Sequence, residues 1–326
     1  MTANRIASLL PSATEIVCAL GLGDRLVGVS HSCDHPLEVR AKPRLTRPRF
    51  SLVRRSSGEL DAAVRQALNE YGSVYEVDST WLAQFRPDVV LTQGVCDVCA
   101  VPMRTAERAA ALLASVPVVL ALDAHDVRGV LDSILAVGRL AEVPERAEAC
   151  VRDIERRIEA VRGRVVGRAR IRVLALEWLD PPYMPGHWVP EMVALAGGEL
   201  LRGTAGRPSF ALPWEALAGL DPDVLLVMPC GFDLAAATAD AERHEPSLRA
   251  VAPRAFATGR AVVVDATAHF SRPGPRIPQG VELLGALLHP DLFPNVPLEA
   301  RACVLRSGRA ARAGPRRGPG PALGIL

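Results

Sequence analysis

Several features that quickly classify a protein are missing from this sequence. No apolar run is long enough to cross a bilayer, so we expect no membrane insertion. No basic segment followed by an apolar core and a small-residue cleavage site opens the chain, which favours a cytoplasmic location. The P-loop and the G-x-S-x-G pattern are absent, and Gly21-Leu-Gly23 lacks the third glycine of a dinucleotide fingerprint. The common nucleotide-binding and serine-hydrolase classes are therefore disfavoured.

Lysine, aromatic residues and net charge are also scarce. Lys42 is the only lysine, aromatics make up 4% of the chain, and the formal net charge is +2, so we expect no nucleic-acid partner. With 49% hydrophobic residues, a chain of 326 residues can bury a large core and suits two domains. Its seven cysteines, an odd number without an export signal, fit a reducing compartment with free or metal-bound thiols.

A long amphipathic helix is predicted in the middle of the chain, over Pro144–Arg164. Its apolar residues recur at steps of three and four, which keeps them on one face: Ala147, Cys150, Val151, Ile154, Ile158 and Val161. Pro144 suits the first turn, where its missing N–H costs no hydrogen bond. At about 1.5 Å per residue this helix would be roughly 30 Å long, enough to connect two domains.

The segments on either side of this helix resemble each other. Glu15–Gly21 (EIVCALG) is echoed by Glu191–Gly197 (EMVALAG). Thr80–Leu91 (TWLAQFRPDVVL) is echoed by Glu215–Leu226 (EALAGLDPDVLL), and both indicate a helix, a Pro-Asp turn and a buried strand. Two matched pairs in the same order favour two related lobes over chance similarity.

The predicted fold class is α/β. Strands alternate with helices on both sides of the long helix, which predicts two αβ lobes with mainly parallel sheets and a ligand cleft between them. We expect an N-terminal lobe over 1–143, the bridging helix over 144–165 and a C-terminal lobe over 166–299. Residues 300–326 are rich in Arg, Gly, Pro and Ala, so we expect this tail to be disordered.

Candidate site residues follow the predicted strands. Ligands of parallel sheets bind at the carboxyl ends of the strands, so loops at those ends should converge in the cleft. The candidate ligand-binding residues are Ser12, Asp34, His35, Gln93, Glu177, Trp178, His187, Trp188, Phe270 and Arg272. The candidate metal ligands are Cys33, Cys96, Cys99 and Cys230. No catalytic residue is assigned.

Each candidate has an ordinary structural alternative, which the residues leave open. Cys96-x-x-Cys99 could be a redox dithiol or half a metal site, but a lone C-x-x-C is a weak signal. Trp178 and Trp188 could form a flat apolar ligand surface or belong to the core. His187 could be a metal ligand or a buried histidine, and Glu177 is better explained by hydrogen bonds to its own loop. The histidines outside these loops receive no role: His125, His244 and His289.

Three motifs resemble a known family. Ser8–Ile16 (SLLPSATEI), the strand Val27–Ser30 leading to Cys33–Pro36, and Arg86–Leu91 are similar to the vitamin B12-binding members of the class III periplasmic binding proteins, or helical-backbone metal receptors. The likeness runs from about Arg5 to Leu292. It implies two αβ lobes, a rigid connecting helix, and a cobalamin, haem or ferric siderophore held between the lobes.

The resemblance also implies delivery of the ligand to an ABC permease, and here the sequence departs from the pattern. Importer-docking relatives commonly carry one glutamate on each lobe, seven residues before the strand-leading proline. Glu215 fills the second position, but Thr80 occupies the first. The missing signal and the cysteine-bearing loops resemble instead a signal-less cytosolic branch of the family.

Two functions from different classes therefore remain. The first is non-catalytic binding of a corrinoid or comparable metal chelate, with His187, His35 or a thiolate as axial ligand. The second is a metalloenzyme on the same scaffold, in which the four cysteines hold zinc or an iron–sulfur cluster and Glu177 or Asp34 acts as acid/base. An exported receptor with a misassigned start is the third alternative.

Overall fold

The computed structural model describes residues 3–51, 55–95, 101–298 and 302–305. The strands of the first lobe are β1 (Ile6–Ser8), β2 (Leu26–Val29), β3 (Thr46–Pro48), β4 (Tyr75–Val77), β5 (Val89–Thr92) and β6 (Val118–Ala121). Its helices are α1 (Pro11–Ala19), α2 (Ser57–Tyr71), α3 (Ser79–Phe85), α4 (Met103–Ala111) and α5 (Val127–Leu140). Helix α6 (Pro144–Val165) follows.

The second lobe begins after α6. Its strands are β7 (Ile171–Leu176), β8 (Trp178–Leu179), β9 (Pro182–Met184), β10 (Gly198–Leu200), β11 (Phe210–Ala211), β12 (Val224–Val227), β13 (Ala261–Val264) and β14 (Ala302–Val304). Its helices are α7 (Val189–Leu195), α8 (Leu234–Arg243), α9 (Glu245–Val251), α10 (Pro253–Ala257), α11 (Ala266–His269) and α12 (Ile277–Leu288). None of the helices within the described ranges is long and apolar enough to span a membrane.

The two sheets share one topology, which confirms the predicted duplication. The first is parallel in the order β2-β1-β5-β6, and the second runs β10-β7-β12-β13 in parallel before ending at antiparallel β14. Numbered within its own lobe, each parallel set has the order 2-1-3-4. The α/β fold of two related lobes is therefore as predicted.

The first repeat identified in the sequence corresponds to α1 and α7, the helices that follow the first strand of each lobe. Both helices are followed by a glycine in the left-handed region, Gly21 with φ +71° and Gly197 with φ +83°. A side chain is strained in that conformation, so glycine at these positions allows the chain to turn back towards the next strand. The repeated sequence thus ends both helices at the same place, two residues before the glycine.

Helix α6 packs against both lobes. Its predicted apolar face is buried at Ala147, Val151, Ile154, Ile158 and Val161. Helix α5 of the first lobe and helices α7 and α12 of the second pack against it. One apolar cluster consequently runs from the first sheet through α6 into the second sheet, so the lobes share a core on this side.

Each lobe also has segments that the other lacks. Between β2 and β5 the first lobe inserts the antiparallel pair β3–β4 and helix α2. Between β7 and α7 the second lobe inserts a hairpin, β8–β9, to which β11 adds. These insertions lie outside the common 2-1-3-4 framework.

The predicted disorder of residues 300–326 is wrong for Ala302–Val304. These residues form β14 and pair with β13 from Val262 to Val264. A short extended segment gains backbone hydrogen bonds by covering the open edge of a sheet. The Arg, Gly and Pro content of the tail hid this strand in the sequence. The rest of the tail, apart from Leu305, lies outside the described residues.

Candidate functional site

Loops from the carboxyl ends of both sheets meet between the lobes, and two histidines face each other there. His125 lies between β6 and α5 of the first lobe, and His187 lies between β9 and α7 of the second. Their ring centroids are 5.8 Å apart with an interplanar angle of 36°, and the His187 ring stacks on Trp188 at 5.6 Å. Two imidazoles, one from each lobe, therefore lie side by side in the cleft.

His187 is held by its backbone rather than by its ring. Its φ is +51°, an uncommon value for a residue with a side chain, and its N–H donates to the carbonyl of Arg207 at 2.7 Å. Its ring atom Nδ1 is buried and has no hydrogen-bond partner among the described residues. Burial, and then the neighbouring His125, lower the pKa of His187, so its ring is neutral at neutral pH. A neutral imidazole with an unused nitrogen has the form in which histidine binds metals.

No role is predicted for His125 from the sequence, although it lies on a loop at the end of a strand, as the candidate residues do. It follows the end of β6 by four residues. The exposed ring of His125 reaches the cleft through the same strand-end geometry as His187.

A polar group borders the cleft at the end of β7. The Glu177 carboxylate accepts a hydrogen bond from the Ser209 hydroxyl at 2.6 Å. The backbone carbonyl of Glu177 accepts the N–H of Cys230 at 3.0 Å, so the loops after β7 and β12 are joined. The carboxylate of Glu177 is thus bonded to a residue 32 positions away, whereas the sequence predicts a bond to its own loop. The joined loops also bring together two predicted site residues, Glu177 and Cys230.

Two other predicted residues of the first lobe are buried. Gln93, at the end of β5, is 5% exposed and forms an isolated bridge with Pro102. Ser12 is 2% exposed, and a Cβ atom built on Gly274 of the second lobe would lie 3.5 Å from the Ser12 carbonyl oxygen. Ser12 therefore lies at the lobe–lobe contact rather than on an open cleft wall.

Predicted ligand contacts Asp34 and Arg272 are joined to each other instead. The Arg272 guanidinium donates to Asp34 at 2.6 Å and to Glu15 at 3.1 Å, and it also bonds the carbonyl of Ser32. Arg276 donates to both carboxylate oxygens of Glu15, at 2.6 and 2.8 Å. We call these four side chains the arginine clasp: Glu15 and Asp34 of the first lobe, Arg272 and Arg276 of the second.

Glu15 and Arg272 are the most deeply buried members of the arginine clasp. The side chain of Arg272 is 8% exposed and that of Glu15 is 3% exposed. Burial lowers the pKa of Arg272, but Asp34 and Glu15 outweigh burial and raise it. Burial raises the pKa of Asp34, but Arg272 outweighs it and holds that pKa below its ordinary value. Arg272 is thus used in the contact between the lobes rather than presented to a ligand, which corrects its predicted role, while the partly exposed Asp34 uses one carboxylate oxygen here.

The pseudo-symmetric counterpart of Glu15 also crosses between the lobes. Glu191 occupies the same place in the repeat, and its carboxylate accepts the N–H of Val127 at the start of α5, at 2.8 Å. The duplication thus places one glutamate on each lobe in contact with the other lobe. Sequence comparison identified the repeat but not this use of its acidic residue.

The aromatic candidates divide into core and contact residues. Phe270 is 1% exposed and Trp188 is 7% exposed, and Trp188 Nε1 donates to the carbonyl of Phe270 at 2.7 Å. Both belong to the shared core, apart from the edge of Trp188 that His187 covers. Trp178 is half-buried, packs edge-on against Phe232 and donates to the carbonyl of Ser57 at 3.2 Å. The predicted ligand surface of two tryptophans is therefore not formed.

The predicted cysteine metal site receives no support from the described residues. Cys33 is 1% exposed, its sulfur lies 3.1 Å from the hydroxyls of Thr14 and Ser30, and burial raises its pKa. Cys96 and Cys99 lie outside the described residues. Within those residues no three His, Cys, Asp or Glu side chains gather as a metal site would require. A buried thiol with a raised pKa is a poor metal ligand.

The remaining candidates are exposed. His35 lies on the surface next to the arginine clasp, where partial burial and then Arg276 lower its pKa. Glu215 is exposed on the 3₁₀ turn Trp214–Leu217, and Thr80 is exposed at the corresponding place on α3. The two positions that correspond in the sequence repeat are thus both exposed at the surface.

A two-lobed α/β receptor with a bridging helix and a cleft at the strand ends is a recognisable class of ligand-binding protein. A model of the periplasmic binding protein family matches residues 6–249. The chain belongs to this family. None of the curated proteins matches the chain.

Solved structures show the same fold. A periplasmic haem-binding protein from Pseudomonas aeruginosa is similar with a TM-score of 0.68 and 22% identity, covering 88% of this chain and 93% of that one. The periplasmic vitamin B12-binding protein BtuF of Vibrio cholerae gives 0.63 and 20%, covering 90% and 98%. A protein from Staphylococcus epidermidis described as a possible iron-binding, periplasmic solute-binding protein gives 0.64 and 20%, covering 89% and 100%.

Proposed function

We propose that the chain binds a corrinoid, or a comparable metal chelate such as haem, between its two lobes. The observation that carries the proposal is the pair His125 and His187, one imidazole from each lobe, 5.8 Å apart at the strand ends. The buried Nδ1 of His187 has no partner within the described chain, which is costly unless a ligand uses the site. Structural relatives described as haem-binding and vitamin B12-binding support the same class of ligand.

His187 would provide the axial ligand. Its lowered pKa keeps the ring neutral at neutral pH, so no proton competes with the metal. Trp188 stacks on the ring and limits its rotation, while the Arg207 carbonyl holds its backbone. His125 would contact the ligand from the other lobe. Binding would then be sensitive to the relative position of the lobes.

The test is a spectroscopic titration of the purified chain with aquocobalamin, cobinamide and haemin. Coordination by an imidazole shifts the absorption bands of these chelates. We expect such a shift with at least one of them, and His187→Ala should weaken the binding at least about tenfold because the axial bond is lost.

His35→Ala is the matched control. His35 was the other predicted histidine ligand, but it is exposed beside the arginine clasp, so its removal should leave the spectrum unchanged. No spectral change and no heat of binding with any of the three chelates would refute the proposed function. An unchanged affinity of His187→Ala would refute the role of His187.

Delivery to an ABC permease is a second candidate, favoured by the exposed position of Glu215. An acidic side chain there could pair with permease arginines, while Thr80 at the corresponding position offers no charge. We propose docking through one glutamate. Glu215→Ala should abolish co-purification with a permease encoded nearby, and Thr80→Ala should leave it intact. An effect of Thr80→Ala as large as that of Glu215→Ala would contradict docking through one glutamate.

For the chelate-binding function, as the alternative to delivery to a permease, we propose an intracellular location, supported by the seven cysteines. Fractionation of the host with an antibody against the chain tests it. Recovery of the protein outside the cytoplasmic fraction would refute this location.

A further inference from the structure

A third contact between the lobes lies at the start of helix α2. The N–H of Ser57 donates to Asp240 Oδ1 at 3.3 Å, and Trp178 Nε1 donates to the Ser57 carbonyl at 3.2 Å. Leu60 is 1% exposed, although it belongs to the first lobe, because it packs into an apolar cluster of the second. We call this contact the α2 latch and define it as Ser57, Gly58 and Leu60 against Trp178, Asp180 and Asp240.

Gly58 allows the two surfaces of the latch to come this close. A Cβ atom built on Gly58 would overlap the carboxylate of Asp180 and would lie 3.6 Å from the Asp180 Cβ. The Asp180 carboxylate therefore lies against the first turn of α2, where the helix dipole and the first N–H groups favour negative charge. Asp180 and Asp240 both bring such charge from the second lobe.

The polar atoms of the latch are incompletely paired. Ser57 Oγ and Asp240 Oδ2 are buried without a hydrogen-bond partner among the described residues, and Asp240 is fully buried. A buried polar atom without a partner lost its hydrogen bonds to water on folding, so separating this contact recovers them. In the arginine clasp, by contrast, both oxygens of Glu15 are bonded. The polar groups of the latch thus separate at lower cost than those of the arginine clasp.

The two contacts also differ in what remains when they separate. Beyond Leu60, α2 continues along its own lobe, where Val64 packs into the apolar cluster of the first lobe. The first turn of α2 can therefore leave the second lobe without unpacking the rest of the helix. The shared core through α6 and the arginine clasp would still hold the lobes together.

Trp178 follows β7 by two residues, and α8, which carries Asp240, follows β12, so the latch lies at the carboxyl ends of the strands of the second sheet, where the ligand would bind. We propose that the α2 latch opens locally while the rest of the molecule stays folded, and that this opening admits the ligand. The first part is a property of the chain alone. The second part rests on the proposed function. Two experiments therefore test them separately.

The first experiment measures thiol labelling of native protein by a maleimide, with each position read by peptide mass. Leu60→Cys reports the latch. Leu248→Cys is its matched control, because Leu248 is fully buried in the same cluster but lies on α9. Val64→Cys reports α2 one turn further along. We expect position 60 to react at least about tenfold faster than positions 248 and 64, because only the latch opens.

Equal labelling rates at positions 60 and 248 would overturn the proposed local opening of the latch, because labelling would then require unfolding of the whole lobe. Equal rates at positions 60 and 64 would also overturn it, because the entire helix would be detaching. Circular dichroism of each variant checks that the chain is folded before labelling. If Leu60→Cys does not fold, hydrogen exchange of the α2 amides in the parent chain replaces it, and equal exchange rates in the first turn of α2 and around Val64 would overturn the opening of the latch.

The second experiment locks the latch with a disulfide, Gly58→Cys with Asp180→Cys. The Cβ separation of 3.6 Å lies within the range of about 3.5–4.5 Å found in disulfides. We expect aquocobalamin or haemin to associate at least about tenfold more slowly with the oxidised variant, and a reductant to restore the rate. The two single variants and the parent chain, oxidised in the same way, control for the native cysteines.

Equal association rates in the oxidised and reduced variants would overturn the role of the latch in ligand access. Failure of both forms, and of the parent chain, to bind either chelate would refute the proposed function and with it the ligand-access part. The labelling rates at position 60 would still decide whether the latch opens. The two failures are thereby distinguishable.

Discussion

The arginine clasp and the α2 latch both join the lobes, but they come from different parts of the fold. The clasp uses Glu15 on α1 and Arg276 at the start of α12, elements that the duplicated framework supplies to each lobe. The latch uses α2 and the β8–β9 hairpin, insertions that occur in one lobe only. The duplicated framework therefore supplies one contact between the lobes, the clasp. The insertions add a second contact, the latch, whose polar atoms are less completely hydrogen-bonded.

Their electrostatics differ accordingly. In the clasp, buried charges of opposite sign are paired and further bonded, which compensates their desolvation. In the latch, the charge of Asp240 meets a helix terminus and the half-exposed Arg243, and one of its oxygens is left without a partner. Removing a charge from the clasp should therefore lower the free energy of unfolding more than a matched change in the latch does.

The largest effect is expected from Arg272→Met. The change leaves Glu15 and Asp34 with one arginine fewer in a buried site, and uncompensated buried charge typically costs about 3–5 kcal/mol. Urea unfolding followed by circular dichroism measures the loss.

Arg156→Met is the control for Arg272→Met. Arg156 pairs with Asp153 on α6, but both side chains are exposed, at 72% and 53%. Exposed pairs contribute about 0–1 kcal/mol, so this variant should unfold almost as the parent does. A loss for Arg272→Met no greater than that of the control would contradict a structural role for the clasp.

A smaller effect is expected from Gly58→Ala in the latch. Alanine is the better helix former, but its Cβ overlaps the Asp180 carboxylate, and overpacking costs about 1–3 kcal/mol. Opening of the latch relieves the overlap, so the measured loss cannot exceed the free energy of opening. We expect a loss of about 1–2 kcal/mol in urea unfolding.

Asp180→Ala supplies the matched background for this test. Without the carboxylate, Gly58→Ala should be neutral or stabilising, because only its helix propensity remains. The double-mutant cycle then gives a coupling of about 1 kcal/mol or more between the two positions. Additive effects would show that Gly58 and Asp180 are not in contact in solution.

The smallest effect is expected from Asp34→Asn, and it is present near neutral pH and disappears in acid. The folded-state pKa of Asp34 is lowered, so its contribution to stability is complete above the pKa of the unfolded chain, about 4, and is lost as the pH falls through the folded value. Because Asp34 is one-third exposed, we expect the variant to be less stable than the parent chain by only about 1 kcal/mol at pH 6.

Urea unfolding from pH 6 down to pH 3 measures this difference between Asp34→Asn and the parent chain. The two stability curves should converge as the pH falls. A stability difference that stays constant over this range would show that the pKa of Asp34 is not lowered in the folded chain.

Much of the framework could be predicted from the sequence because its signals are local. Apolar spacing predicted the bridging helix within one residue of its observed end at Val165, and Pro-Asp turns marked the strands β5 and β12. The site was predicted less well. Charged and aromatic residues at strand ends, such as Arg272 and Phe270, looked like ligand contacts because the sequence does not show which residue of the other lobe lies opposite. His125 was missed for the same reason.

The sequence by itself determined the two related lobes, their parallel sheets and the helix between them, because periodicity, turns and internal repetition are properties of neighbouring residues. Only the tertiary structure decided that Glu15 would meet two arginines from 257 and 261 residues away, that Asp240 would meet the start of α2, and that two histidines would face each other. Contacts of this kind depend on how the lobes pack, and packing is set by the whole chain at once.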